Sequence, residues 1–103
     1  MAKTNIKLYN GTLSDANVTL YTVPAGKQTI VKSLSLCNKT SSAATVILKL
    51  DGIHLLYELS IEANATYIMS AVDQILDTSD LIEGNASVGA AIDCIISGFE
   101  IDL

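Results

Sequence analysis

Ala44-Thr45-Val46-Ile47-Leu48-Lys49-Leu50-Asp51-Gly52-Ile53-His54-Leu55-Leu56-Tyr57-Glu58-Leu59 is the stretch that decides the fold. Two apolar runs flank Asp51-Gly52, a pair suited to a two-residue type I′ hairpin turn because both residues tolerate the positive φ that its central positions require. Counting outward from the turn, Leu50 opposes Ile53, Leu48 opposes Leu55, Val46 opposes Tyr57 and Ala44 opposes Leu59. One face of the hairpin is then wholly apolar and belongs to a core. The other face pairs Lys49 with His54, Ile47 with Leu56 and Thr45 with Glu58, a polar surface broken by one aliphatic pair that needs a cover.

The same two-residue alternation extends in both directions, with turn signals about every ten residues. Strands are expected at 5–9, 17–23, 28–37, 44–50, 53–59, 66–72, 87–92 and 95–103, with 73–85 holding a short strand or a helical turn. A second hairpin is read at Val23-Pro24-Ala25-Gly26, where proline presets φ at the second position of a type I turn and glycine suits the fourth. Lys32 interrupts the alternation of Ile30, Leu34 and Leu36, which predicts a bulge or a strand running past its sheet. At the C-terminal end Ile95, Phe99, Ile101 and Leu103 share one face, taken as core, with Glu100 and Asp102 opposite. The expected architecture is all-β: an antiparallel two-sheet β-sandwich, jelly-roll-like, of about eight strands, forming one domain over residues 1–103.

Composition narrows the function. Hydrophobic residues make up 50% of the 103 and charged ones only 17%, less charge than a monomer of this size usually spreads over its surface. Some apolar surface is therefore expected to meet another subunit. The net charge is −5, and all six basic residues are lysines; without arginine forks for phosphate and base edges, nucleic acid is not an expected partner. No apolar run approaches the roughly 20 residues that span a bilayer, so no membrane is expected either. Met1-Ala2-Lys3-Thr4-Asn5-Ile6-Lys7 passes straight into alternation without a signal-peptide core, so synthesis in the cytosol is expected. In that compartment Cys37 and Cys94 are expected as two free thiols.

Catalytic and cofactor motifs are not assembled. Gly26-Lys27 follows a turn, but a phosphate loop needs glycine where Tyr21 stands and Ser or Thr where Gln28 stands. His54 is the one histidine; its expected neighbour is Lys49, which neither orients an imidazole nor favours its charged form. Asp73, Asp77, Asp80 and Glu83 are spaced too widely for a calcium loop. The two cysteines lack the tryptophan and tyrosine that accompany an immunoglobulin bridge. Asn10, Asn17, Asn38, Asn64 and Asn85 each begin an Asn-x-Ser/Thr triplet, which turn chemistry in a chain rich in Ser and Thr accounts for. No catalytic residue, metal or cofactor is expected.

Leu20-Tyr21-Thr22-Val23-Pro24-Ala25-Gly26-Lys27, then Ile30-Val31-Lys32-Ser33-Leu34 and Cys37-Asn38, resemble a pattern of small bacteriophage virion proteins. Leu50-Asp51-Gly52, Ile75-Leu76, Leu81-Ile82, Ala86-Ser87 and Ser97-Gly98-Phe99-Glu100-Ile101 fit the same resemblance, which runs from about Thr19 onward. It implies a non-enzymatic β-sandwich subunit of a phage head, neck or tail, such as a capsid decoration protein, made in the host cytoplasm and located in the virion. Its expected partners are copies of itself and other virion proteins, met through Tyr21, Val31, Ile47 and Leu56. The alternative is a lectin-like, carbohydrate-binding adhesion module that holds a host-surface glycan. That reading is weakened by the absence of tryptophan, since sugar sites favour an exposed aromatic platform.

Overall fold

A computed structural model describes residues 2–103, and these form nine strands and no helix. In chain order they are β1 Lys3–Thr12, β2 Val18–Thr22, β3 Lys27–Asn38, β4 Ala44–Leu50, β5 Ile53–Ile61, β6 Thr66–Met69, β7 Gln74–Leu76, β8 Leu81–Ala86 and β9 Ile92–Asp102. One sheet runs β1-β9-β3-β6, with β7 pairing the other end of β3; the second runs β2-β8-β4-β5. Every ladder is antiparallel. This strand order is that of a jelly roll, one of its usual eight strands being divided into β6 and β7. The all-β, two-sheet sandwich expected from the alternation is the fold of the chain.

The core lies between the sheets. Val31, Leu34, Leu36, Cys94 and Ile96 from the first sheet meet Val46, Leu48, Leu56 and Ile82 from the second. The hairpin tip is as expected: Asp51 and Gly52 have φ of 51° and 77°, and Leu50 faces Ile53 while Lys49 faces His54. Beyond it the register departs from expectation. Leu48 pairs with Leu56 rather than Leu55, and Val46 with Leu59 rather than Tyr57. Two bulges in β5 cause this. His54-Leu55-Leu56 places two leucines in succession, and the first bulge tucks both towards the core, Leu56 buried and Leu55 half-buried. The second falls at Glu58, whose φ is 52°, and restores Leu59 and Ile61 to the inner face. Tyr57 is thereby turned out to 66% exposure, against its expected place in the core.

Three other expectations are corrected. Val23-Pro24-Ala25-Gly26 is not a hairpin, because β2 and β3 belong to different sheets. The turn begins one residue later: Lys27 N donates to Pro24 O at 3.2 Å, and Gly26 takes φ of 75° at the third position. The strand placed at 87–92 lies at β8 instead. Gly84 sits there because a Cβ would come within 2.5 Å of a Leu48 methyl, so a glycine that looks like a strand breaker makes room for the core. The third correction concerns β9. Its inner face is Ile92, Cys94, Ile96, Gly98 and Glu100, and Ile95, Phe99, Ile101 and Leu103 point away from the core. The expected bulge at Lys32 is present, between Val31 and Ser33.

Candidate functional site

The inverted phase of β9 creates the most distinctive surface of the molecule. Following the registers across the first sheet, its outer face is a set of rows. Lys3, Ile101 and Gln28 form one; Asn5, Phe99, Ile30 and Ile75 the next; Lys7, Ser97 and Ser33 the third; Asn10, Ile95, Ser35 and Ile68 the fourth. Six large apolar side chains, Ile30, Ile68, Ile75, Ile95, Phe99 and Ile101, thus lie on a face with no second layer over it. Ile68 is 67% exposed, Ile75 60% and Ile95 45%. Scattered exposed aliphatics mean little, but Ile101 with Phe99, Ile30 and Ile75 occupies adjacent rows, divided from Ile95 and Ile68 by the polar Lys7, Ser97 and Ser33 row, and apolar groups clustered on one sheet face tend to mark an interaction site. Ser97 and Gly98 floor a shallow depression of about 450 Å³ at its centre, bordered by Lys7, Lys32 and Phe99.

Charges edge this face unevenly. Along β1, Lys3 and Lys7 form no ion pair among the described residues, and the Lys3 ammonium lies 4.4 Å from the Phe99 ring centre. Along the opposite edge Asp73 pairs with Lys32, and Asp77 accepts from Gln28 Nε2 at 3.0 Å. One edge of the face is cationic, and the other carries the Lys32–Asp73 pair and one aspartate, Asp77, held among the described residues only by a neutral amide.

The four positions expected at a contact are not brought together. Val31 and Leu56 are core residues, 1% and 7% exposed, and so cannot meet a partner; the bulge in β5 and the inward phase of β3 put them inside. Tyr21 is half-buried between the sheets. Its hydroxyl donates to Glu100 Oε2 at 2.6 Å and lies 2.7 Å from Thr29 Oγ1, while Lys27 Nζ stands 3.7 Å from Glu100 Oε1. Burial and the Glu100 hydrogen bond push the Tyr21 phenol up to about 12. The Glu100 side chain, expected in solvent, closes one end of the core through these bonds. Ile47 is half-buried on the outer face of the second sheet, beside Asn85.

Sequence reasoning missed the surface that the structure displays. The available signal was the doublet Ile95-Ile96, which gives β9 an apolar residue on each face, together with a glycine at 98 on only one of them.

The second sheet presents a different surface. Thr19, Glu83, Lys49 and His54 form a polar row across it, and Tyr57 meets the His54 ring edge-on with centroids 4.9 Å apart. His54 has Lys49 as cross-strand partner, as expected. Where the hairpin tip approaches β7, a cleft of about 350 Å³ is lined by Asp51, His54, Gln74 and Asp80 against Ile53, Leu55 and Ile75. Asp80 is partly spent, since its carboxylate accepts from Asp77 N at 2.8 Å. No group of three or more His, Cys, Asp or Glu among the described residues is placed to hold a metal ion.

Cys37 and Cys94 are free thiols. Cys94 lies in the core, where burial pushes its thiol up to about 12. Of the Asn-x-Ser/Thr asparagines, Asn38 is fully buried: its side chain donates to Ser42 O and Ile61 O and accepts from Thr40 N. It is a structural turn residue.

No protein family and no curated protein matches the chain. Among solved structures, an exo-β-1,3-galactanase from Phanerochaete chrysosporium is 17% identical over 93% of this chain with a TM-score of 0.46, and the chain spans 27% of that enzyme's length. The CBM36-1 domain of a multidomain xylanase from the hindgut metagenome of Trinervitermes trinervoides is 16% identical, with 99% of this chain and 98% of that domain covered at a TM-score of 0.41.

Proposed function

We propose that the chain is a non-catalytic structural subunit of a phage particle, of the decoration, neck or tail kind, that works by burying a sheet face against its neighbours. The observation that carries this reading is the outer face of the first sheet, where Ile101, Phe99, Ile30 and Ile75 on two adjacent rows, and Ile95 with Ile68 beyond the polar Lys7, Ser97 and Ser33 row, have no covering layer among the described residues. The molecule measures 45 × 22 × 18 Å, so its broad side has room for the roughly 800 Å² per partner that a specific contact buries. The resemblance to small virion proteins supplies the context.

Particle incorporation tests it. A tagged wild-type copy expressed during infection is expected to co-purify with virions through a density gradient. An Ile68→Lys, Ile75→Lys variant, with unchanged circular dichroism, is expected to be depleted from them about tenfold or more, since a contact that covers these positions would have to desolvate two ammonium groups. Absence of the wild-type copy from washed particles sinks the proposal.

One observation favours a second reading, a glycan-binding module: the cleft beside Tyr57, where carboxylate, amide and imidazole groups stand next to aliphatic walls and an exposed ring. Concave sites of this size with a few convergent polar groups suit small ligands. A glycan array decides it. Under this reading the wild type retains a defined set of glycans that Tyr57→Ala loses, whereas an array with no retained glycan removes the reading.

A further inference from the structure

We infer that the occupant of the apolar sheet face is a second copy of this chain, docked face to face about a two-fold axis that runs along the strands. The inference rests on the assembly reading above and adds the identity of the partner and its orientation. Charge selects both. The β1 edge carries Lys3 and Lys7 without ion-pair partners among the described residues, and the opposite edge carries Asp73 and Asp77.

These charges stand at matching levels. Lys3 is in register with Ile101 and Gln28, and Gln28 holds Asp77, so one row begins with a lysine and ends with an aspartate. Lys7 is in register with Ser97 and Ser33, next to the Lys32 bulge that holds Asp73. A rotation about an axis along the strands preserves the level of each row and exchanges its two ends. It sets Lys3 of each copy over Asp77 of the other, and Lys7 over the Lys32–Asp73 pair, giving two cross-copy ion pairs at the rim and two places where Asp73 is shared between Lys32 and the other copy's Lys7. Between them Phe99 comes over Ile30, and Ile95 over Ser35, a large side chain on a small one, while Ile75 and Ile68 come over Asn5 and Asn10 at the row ends. Sheets pack face to face about 10 Å apart with strands nearly aligned, which suits this layering. In the free chain Lys3 covers the Phe99 ring, and the docked copy takes over that role.

The competing arrangement, an axis across the strands, lays β1 over β1 and sets Lys7 against Lys7. Like charges in opposition select against wrong pairings. Such a two-fold contact is isologous and closes on itself, so the product is a discrete dimer.

Sedimentation equilibrium and charge exchange test the inference. The purified wild-type chain is expected at twice its 10.9 kDa mass. Lys3→Glu with Lys7→Glu, and separately Asp73→Lys with Asp77→Lys, are each expected to weaken self-association by about tenfold or more at low salt. Mixing the two variants is expected to restore a dimer containing one chain of each kind. Circular dichroism and the urea midpoint of each variant establish that it folds. A wild-type chain that stays monomeric overturns the inference, whatever the particle experiment shows. Dimers that persist in both charge variants but vanish in Ile68→Lys, Ile75→Lys keep the face and overturn the orientation. Two monomeric, folded variants that fail to combine overturn the pairing, while virion incorporation reports separately on the assembly reading.

Discussion

Replacing Gly98 with alanine is expected to abolish the native fold or to cost more than about 4 kcal/mol, beyond the range of most single substitutions and comparable with the whole stability of a small domain. Gly98 lies in the middle of β9, facing inward between Ile6 of β1 and Val31 of β3. A Cβ placed there would stand 2.0 Å from the carbonyl oxygen of Ile30, 3.1 Å from its carbon and 3.2 Å from a Leu8 methyl. The first two are backbone atoms, so no rotamer change relieves the overlap. Relief requires β3 to move away from β9, which breaks the ladder at its centre.

The close approach has a local cause. Both neighbouring strands bulge beside Gly98, β1 at Leu8 and β3 at Lys32, and bulges increase strand bending and twist. Together they draw the flanking backbones over the β9 residue that has no side chain. A urea titration of soluble Gly98→Ala protein measures the loss, with insolubility on expression as the extreme form. A midpoint within about 1 kcal/mol of wild type would mean that β3 shifts freely, and that the bulges do not enforce the contact.

The bulges also explain which parts of the fold were legible in the sequence. Where alternation is clean or a turn has a chemical signature, as through Leu34 and Leu36 or at Asp51-Gly52, local rules suffice. The Lys32 bulge was legible because an ammonium is costly to bury, so a lysine in an apolar face requires the strand to shift its phase there. Leu55-Leu56 and Ile95-Ile96 were not, because an apolar doublet leaves the phase of a strand undetermined and only tertiary packing resolves it. In β9 the tie is broken by Gly98, which can occupy only the crowded inner face, and by Glu100, which finds Tyr21 and Thr29 there. A carboxylate normally marks the solvent side, and here the Tyr21 hydrogen bond and the nearby Lys27 ammonium offset the cost of burying it. The wrong phase hides the outer apolar surface, since it turns the residues that form that surface into the core. The contact candidates Val31 and Leu56 fail for the same reason in reverse.

Alkaline pH is expected to unfold the chain with unusual steepness above about pH 9, and Cys94 carries most of the first part of that loss. Its ordinary value is 9.0 and burial raises it to about 12 in the folded protein. Below pH 9 the thiol is protonated in both states and the full stabilisation is present. Between pH 9 and 12 the unfolded chain releases the proton while the folded one keeps it, so the equilibrium moves towards unfolding by up to about 1.4 kcal/mol per pH unit. The cumulative loss is on the order of 4 kcal/mol by pH 12. Tyr21, raised from 10.0 to about 12 by burial and then by its bond to Glu100, acts in the same direction from pH 10 upward. So does Lys27, whose ammonium is raised first by its hydrogen bond to Asp102. All three groups hold protons more tightly when folded, and none opposes the trend. Urea midpoints are therefore expected to stay level from pH 7 to 8.5 and to fall progressively from pH 9 to 11. Cys94→Ala is expected to begin less stable at pH 7, because the cavity replaces a packed sulfur, yet to remain level to about pH 10. If the variant declines from pH 9 as steeply as wild type, the buried thiol is not the source of the loss.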